Sequence, residues 1–138
     1  CLVGSEMCIR DSYLGIQCAV EGHRLGDISN AIQTYCESQG YSVVRELVGH
    51  GIGRKMHEEP EVPNYGRRGC GPLLRNGMCI CIEPMINMGT RKTKQLSDGW
   101  GVITRDGKPS AHFEKTVAIT EEGPRLLTIE PDYRRPVE

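Results

Sequence analysis

The stretch GHGIGRKMHEEP, residues 49–60, places His50 and His57 in a glycine-broken run that closes on Glu58, Glu59 and Pro60. His50 follows ELV with only Gly49 between, so it falls at or just past a strand end. There Gly49, Gly51 and Gly53 let the backbone pass close to another element or to a ligand. Two glutamates further along share this character. In MCICIEPM, Glu83 lies on the same strand face as Cys79 and Cys81, and Pro84 ends the run. In HFEKTVAI, Glu114 shares a face with Thr116 and Ala118, while Phe113, Val117 and Ile119 take the other. Both carboxylates are expected on a sheet that is apolar around them, and a buried, unpaired carboxylate must be paired, protonated or metal-bound. One imidazole and two carboxylates form a mixed nitrogen and oxygen donor set, suited to divalent ions from magnesium and manganese through iron, cobalt and zinc. His57, beyond the glycines, is expected beside such an ion or facing a substrate. Each residue alone has a plainer reading: a hydrogen-bonded structural histidine, or a glutamate on a solvated strand edge. The constellation carries the chemical argument.

Two other motifs are excluded. HEEPE is not HExxH, because Pro60 opposes the helix that would align two histidines and position 61 is Glu. GHGIG has glycines at 49, 51 and 53, whereas a dinucleotide loop requires one at 54, which is Arg. Seven cysteines, at 1, 8, 18, 36, 70, 79 and 81, form no paired framework, which argues for reduced thiols in an intracellular compartment. Cys79 and Cys81 alternate with Met78, Ile80 and Ile82 and are read as small buried hydrophobes.

The elements that would position these groups are α+β: helices first, then a mostly antiparallel sheet with one covered face. Residues 1–12, CLVGSEMCIRDS, show neither helical nor strand period and receive no element. Tyr13, Ile16 and Val20 share a helical face that ends near Gly22. A second helix carries Ile28, Ala31, Ile32 and Tyr35, with Asp27 as its N-cap and Gly40 as its stop. Strands are expected in YSVVREL, MCICIE, GWGVIT, AHFEKTVAIT and RLLTIE, with Asp106-Gly107 as a turn. Residues 60–72 read as a surface loop, and the charged, proline-bearing tail from Pro131 as a solvated end.

With 138 residues, one domain is expected. The 17 basic and 18 acidic residues give a net charge of −1, so no overall field favours nucleic acid or an anionic membrane. No apolar run approaches the ~20 residues that span a bilayer, and the N-terminus lacks the pattern of a secretory signal. Function must come from a local site.

Taken in order, GHGIGRKMHEEPEVPNYG, GMCICIEPMINMG, LSDGWGVITRDGKPSAHFEKTVAIT and EEGPRLLT resemble the C-terminal half of a type I methionine aminopeptidase, from about Ser12 to Thr128. The fold implied is half of a pita bread, an antiparallel sheet covered by helices. The resemblance implies a cofactor of two divalent metal ions, cobalt, manganese, iron or zinc, and removal of the initiator methionine from nascent polypeptides. It makes His50 and Glu83 ligands of one ion and Glu114 a carboxylate bridging both. Glu83 would also shuttle a proton, His57 would contact the substrate carbonyl, and Trp100 would line the substrate pocket. The implied partners are the N-terminal methionine of new chains and the ribosome, in the cytoplasm or an organelle. Two departures stand out. Lys115 occupies the place where the family usually has His, and no segment matches the family's N-terminal half, which supplies two aspartates and a further histidine. The chain alone is therefore expected to show little or no activity. The expected layout is a foreign junction over 1–12, the C-terminal half of the catalytic domain over 13–130, and a polar tail over 131–138. Two other readings remain: a non-enzymatic pita-bread binding module and a prolidase-like dipeptidase.

Overall fold

The computed structural model describes residues 2–128, so the expected tail lies outside the described residues. Helix α1 covers Leu2–Gln17 and α2 covers Leu25–Ser38. Against the expectation of no element before residue 13, α1 runs unbroken through Ser12. Its buried stripe is Cys8, Asp11, Ser12, Gly15 and Ile16, continued by Ala19 just past its end. These positions keep the i, i+3, i+4 spacing of a helix face. Gly15 allows the two helices to cross closely, since a methyl group there would meet Ile32 Cδ1 at 2.7 Å.

In α2, Leu25, Ile28, Ile32 and Cys36 face the core. Asp27 does not occupy the N-cap position, which belongs to Arg24; it sits three residues on. There its carboxylate accepts the Arg24 backbone N–H at 2.8 Å and that of Gly69 at 2.9 Å. These two bonds favour the ionised form and hold the carboxyl below its ordinary value. Gly40 takes a positive φ of 81°, as expected of a helix stop.

Among the described residues ten strands follow: β1 (Ser42–Val43), β2 (Gly49–Gly51), β3 (Glu58–Val62), β4 (Cys79–Ile82), β5 (Met85–Asn87), β6 (Thr93–Gln95), β7 (Val102–Thr104), β8 (Ser110–His112), β9 (Lys115–Thr120) and β10 (Gly123–Leu126). All their pairings are antiparallel. One sheet was expected, but the strands form three: a five-stranded sheet in the order β10-β9-β4-β2-β3, a three-stranded sheet β1-β5-β8, and the hairpin β6-β7. Pro84 breaks the run MCICIEPM, so β4 and β5 join different sheets. YSVVREL contributes only two strand residues, and the last strand begins at Gly123 rather than at Arg125. Pro60, expected at the start of a loop, lies inside β3; this is an edge strand, where a residue without an N–H is tolerated.

The helices pack together and onto β1, β4, β5 and β8. A single apolar cluster joins Ile16, Ile28 and Ile32 to Ile80, Ile82, Ile86, Val117 and Ile119. Burial at this density is the main source of stability, at roughly 25 cal/mol per Å² of apolar surface. Lys115 shares its strand face with Val117 and Ile119 and is 5% exposed. Its Nζ lies 4.9 Å over the Phe113 ring and donates to the Thr128 carbonyl at 3.3 Å.

Candidate metal centre

Strands β2, β4 and β9 lie side by side in the five-stranded sheet, and the candidate residues stand on or beside them. His50 pairs with Cys81, and Cys81 pairs with Thr116. Glu83 directly follows β4 and Glu114 directly precedes β9. Glycine at 49 and 51 is required by close packing rather than by unusual dihedrals. A Cβ on Gly49 would collide with the Cys81 carbonyl oxygen, and one on Gly51 with that of Glu59. The β2–β3 register shifts between His50 and Gly51, an irregularity of the kind that re-aims a side chain.

His50 Nδ1 lies 2.9 Å from the Gly51 carbonyl oxygen. An acceptor there calls for Nδ1–H, which leaves the Nε2 lone pair of the neutral ring free to coordinate. Nε2 faces Glu83 Oε1 at 3.5 Å, while the other oxygen, Oε2, lies 3.2 Å from His112 Nε2. Glu83 thus stands between two imidazoles. The hydrogen bond to Glu83 is the main cause that raises the His112 pKa above its usual value, and burial opposes it. The backbone of this corner is fixed from two sides: buried Asn64 donates to the Glu83 carbonyl at 3.2 Å, and Cys8 of α1 donates to that of Pro84 at 3.1 Å.

The His57 ring lies 4.2 Å from that of His50, tilted by 58°. It is exposed, which suits a group that meets an incoming molecule. Glu114 is exposed too, which corrects the expectation that both glutamates would be enclosed by apolar sheet; Glu83 alone is, with 14% of its side chain exposed. Trp100 stands on the β6–β7 turn, 91% exposed, with its backbone N–H bonded to Asp98 Oδ1 at 2.9 Å. Lys115 points to the opposite face from Glu114.

A test of metal fit rests on donor geometry. One ring nitrogen of His50, Sγ of Cys81 and a carboxylate oxygen of Glu114 lie within 4.8 Å of one another. With Glu83 against His50, the residues present fit a divalent ion. Sequence reasoning missed His112 and Cys81. His112 carries a signal in hindsight, because it lies two residues before Glu114 on the same extended run.

Histidine and carboxylate donors thus converge at adjacent strands of an antiparallel sheet, a set suited to a divalent metal ion. The sequence profile of metallopeptidase family M24 matches residues 7–121, and the chain belongs to that family. It is 60% identical over 117 residues to a methionine aminopeptidase of Clostridium perfringens, covering 85% of this chain and 47% of that one. Methionine aminopeptidase 1 of Bacillus subtilis is 55% identical over 123 residues, covering 89% and 50%. Among solved structures, the methionine aminopeptidase of Thermotoga maritima superposes with a TM-score of 0.91 at 43% identity, covering 94% of this chain and 52% of that one. A prolidase from Pyrococcus furiosus, at 23% identity and a TM-score of 0.70, shares the fold alone. The fold is that of the pita-bread peptidases, and the chain spans about half the length of the relatives it matches.

Proposed function

We propose that this chain is the C-terminal half, over residues 13–130, of a cytoplasmic methionine aminopeptidase that removes the initiator methionine from nascent polypeptides emerging at the ribosome. The observation that carries the reading is the bracketing of Glu83 by His50 and His112, beside Glu114, in a chain 45–60% identical to enzymes of that name. His50 and Glu83 would hold one of two divalent ions, and Glu114 would bridge to the second. The ions would supply an activated water and polarise the scissile carbonyl. Glu83 takes a proton from the attacking water and delivers it to the leaving amine, with His112 fixing the carboxylate that performs the transfer. His57, tilted against the His50 ring and open to solvent, donates to the substrate carbonyl oxygen. Trp100 closes one side of the methionine pocket.

Residues 1–12 are read as a foreign junction. The family match begins at residue 7, inside α1, which weighs against it. A natural transcript that encodes these residues would refute the idea.

The test joins this chain to the N-terminal half of the Bacillus subtilis relative and measures methionine release from Met-Ala-Ser. The chimera is expected to be active with Co²⁺ or Mn²⁺ and to lose activity on His50→Ala or Glu83→Gln, while the chain alone is nearly inactive. A folded chimera that cleaves Xaa-Pro dipeptides and spares Met-Ala-Ser would replace this reading with a prolidase. One that cleaves neither would point to a binding module.

A further inference from the structure

We propose that Cys81 is itself a metal ligand, forming with His50 and Glu114 a nitrogen, sulfur and oxygen set that takes a thiophilic divalent cation such as zinc, cobalt or cadmium. The inference rests on the reading of His50 and Glu114 as metal ligands and adds a donor to it. Two observations carry it.

The first is distance. The ligand atoms of His50, Cys81 and Glu114 fall within 4.8 Å of one another. An ion about 2.0–2.3 Å from each would hold the donors about 3.5 Å apart, a closure that small side-chain torsions supply. The second is register. Cys81 is the middle member of the row His50, Cys81, Thr116 across three adjacent strands, so its side chain stands between the elements that bring the other two donors. It is buried, and its sulfur lies 3.5 Å from Thr116 Oγ1, the next member of the row. Sulfur binds as thiolate, so the thiol proton leaves to solvent as the metal–sulfur bond forms.

Thiolate is a soft donor, which favours zinc, cobalt and cadmium over manganese and magnesium. Cys79 shares the strand face but lies outside the three-donor group, and it serves as the control.

The experiment titrates the purified full chain with Co²⁺ and records the absorption spectrum. The variants are Cys81→Ser, Cys79→Ser and His50→Ala, each checked for folding by far-ultraviolet circular dichroism. A near-ultraviolet thiolate-to-cobalt charge-transfer band is expected in the wild type and in Cys79→Ser, and is lost in Cys81→Ser while the visible ligand-field bands persist. Ligand-field bands that depend on His50 without a charge-transfer band would overturn the sulfur ligand and leave the histidine and glutamate site standing. A charge-transfer band that survives Cys81→Ser would do the same. A folded chain that takes up no cobalt would overturn both for this chain.

Discussion

Asp11 offers the most quantitative test of the packing. It is fully buried on the inner face of α1; Oδ2 accepts the Cys36 thiol at 2.6 Å, and Oδ1 has no partner. Burial pushes its pKa from 3.8 up to about 6, the thiol bond opposing only part of that rise. Burial, reinforced by the adjacent Asp11, likewise drives the Cys36 thiol well above its ordinary value. Well below pH 3.8, folded and unfolded chains both hold the Asp11 proton. As pH rises, the unfolded chain releases it first, and the folded state loses stability until its own carboxyl ionises near 6. A rise of this size amounts to about 3 kcal/mol in full, of which about 2 kcal/mol is lost between about pH 4.5 and 7.5. Asp11→Asn keeps the shape and an acceptor for Cys36 but cannot ionise. The stability of the variant minus that of the wild type should therefore rise by about 2 kcal/mol over this interval. Urea unfolding followed by far-ultraviolet circular dichroism is the suitable assay, because Trp100 is 91% exposed and its emission reports little of the core. A difference that stays flat with pH would refute the reasoning and place the carboxyl in contact with water.

Gly49→Ala drives a methyl group into the Cys81 carbonyl, and Val62 closes the other side, so relief requires β2 to separate from β4. The expected cost is about 3 kcal/mol, the upper end of overpacking, read as a lowered unfolding midpoint; an unchanged midpoint would show that β2 is not clamped. Lys115→Met keeps the buried stem and removes the ammonium that meets Phe113 and Thr128. Metal affinity by calorimetric titration should be unchanged, and a tenfold shift would show that the Lys115 side of β9 communicates with the His50 side.

The site was more legible than the frame around it, for physical reasons. The two-residue alternation in MCICIE and HFEKTVAI places Glu83 and Glu114 on defined strand faces, and the glycines around His50 announce a close backbone approach. The burial of Glu114 was misjudged because alternation fixes a face, not the depth of that face. The first turns of α1 are not legible in the sequence because Asp11, Ser12 and Gly15 occupy its inner stripe: the spacing is helical, but the residue types are not apolar. Asp27 was placed at the cap because aspartate serves equally well three residues on, where it reaches back to the same backbone. The division into three sheets follows from Pro84, a visible residue whose consequence depends on strands distant in sequence. Cys81 is buried as its alternation with Ile80 and Ile82 implies, and its place beside His50 depends on a strand pairing that the sequence does not show.

The row of His50, Cys81 and Thr116 has a consequence for how the chain reaches its working state. A strand slipped by one residue turns its side chains to the other face. If β4 slipped against β2, Cys81 and Glu83 would turn inward and two isoleucines would take their place opposite His50. Folding error and loss of chemistry are then one event. A misaligned molecule would be blind to the ion, so cation uptake counts only chains whose sheet has been assembled in the right order and phase.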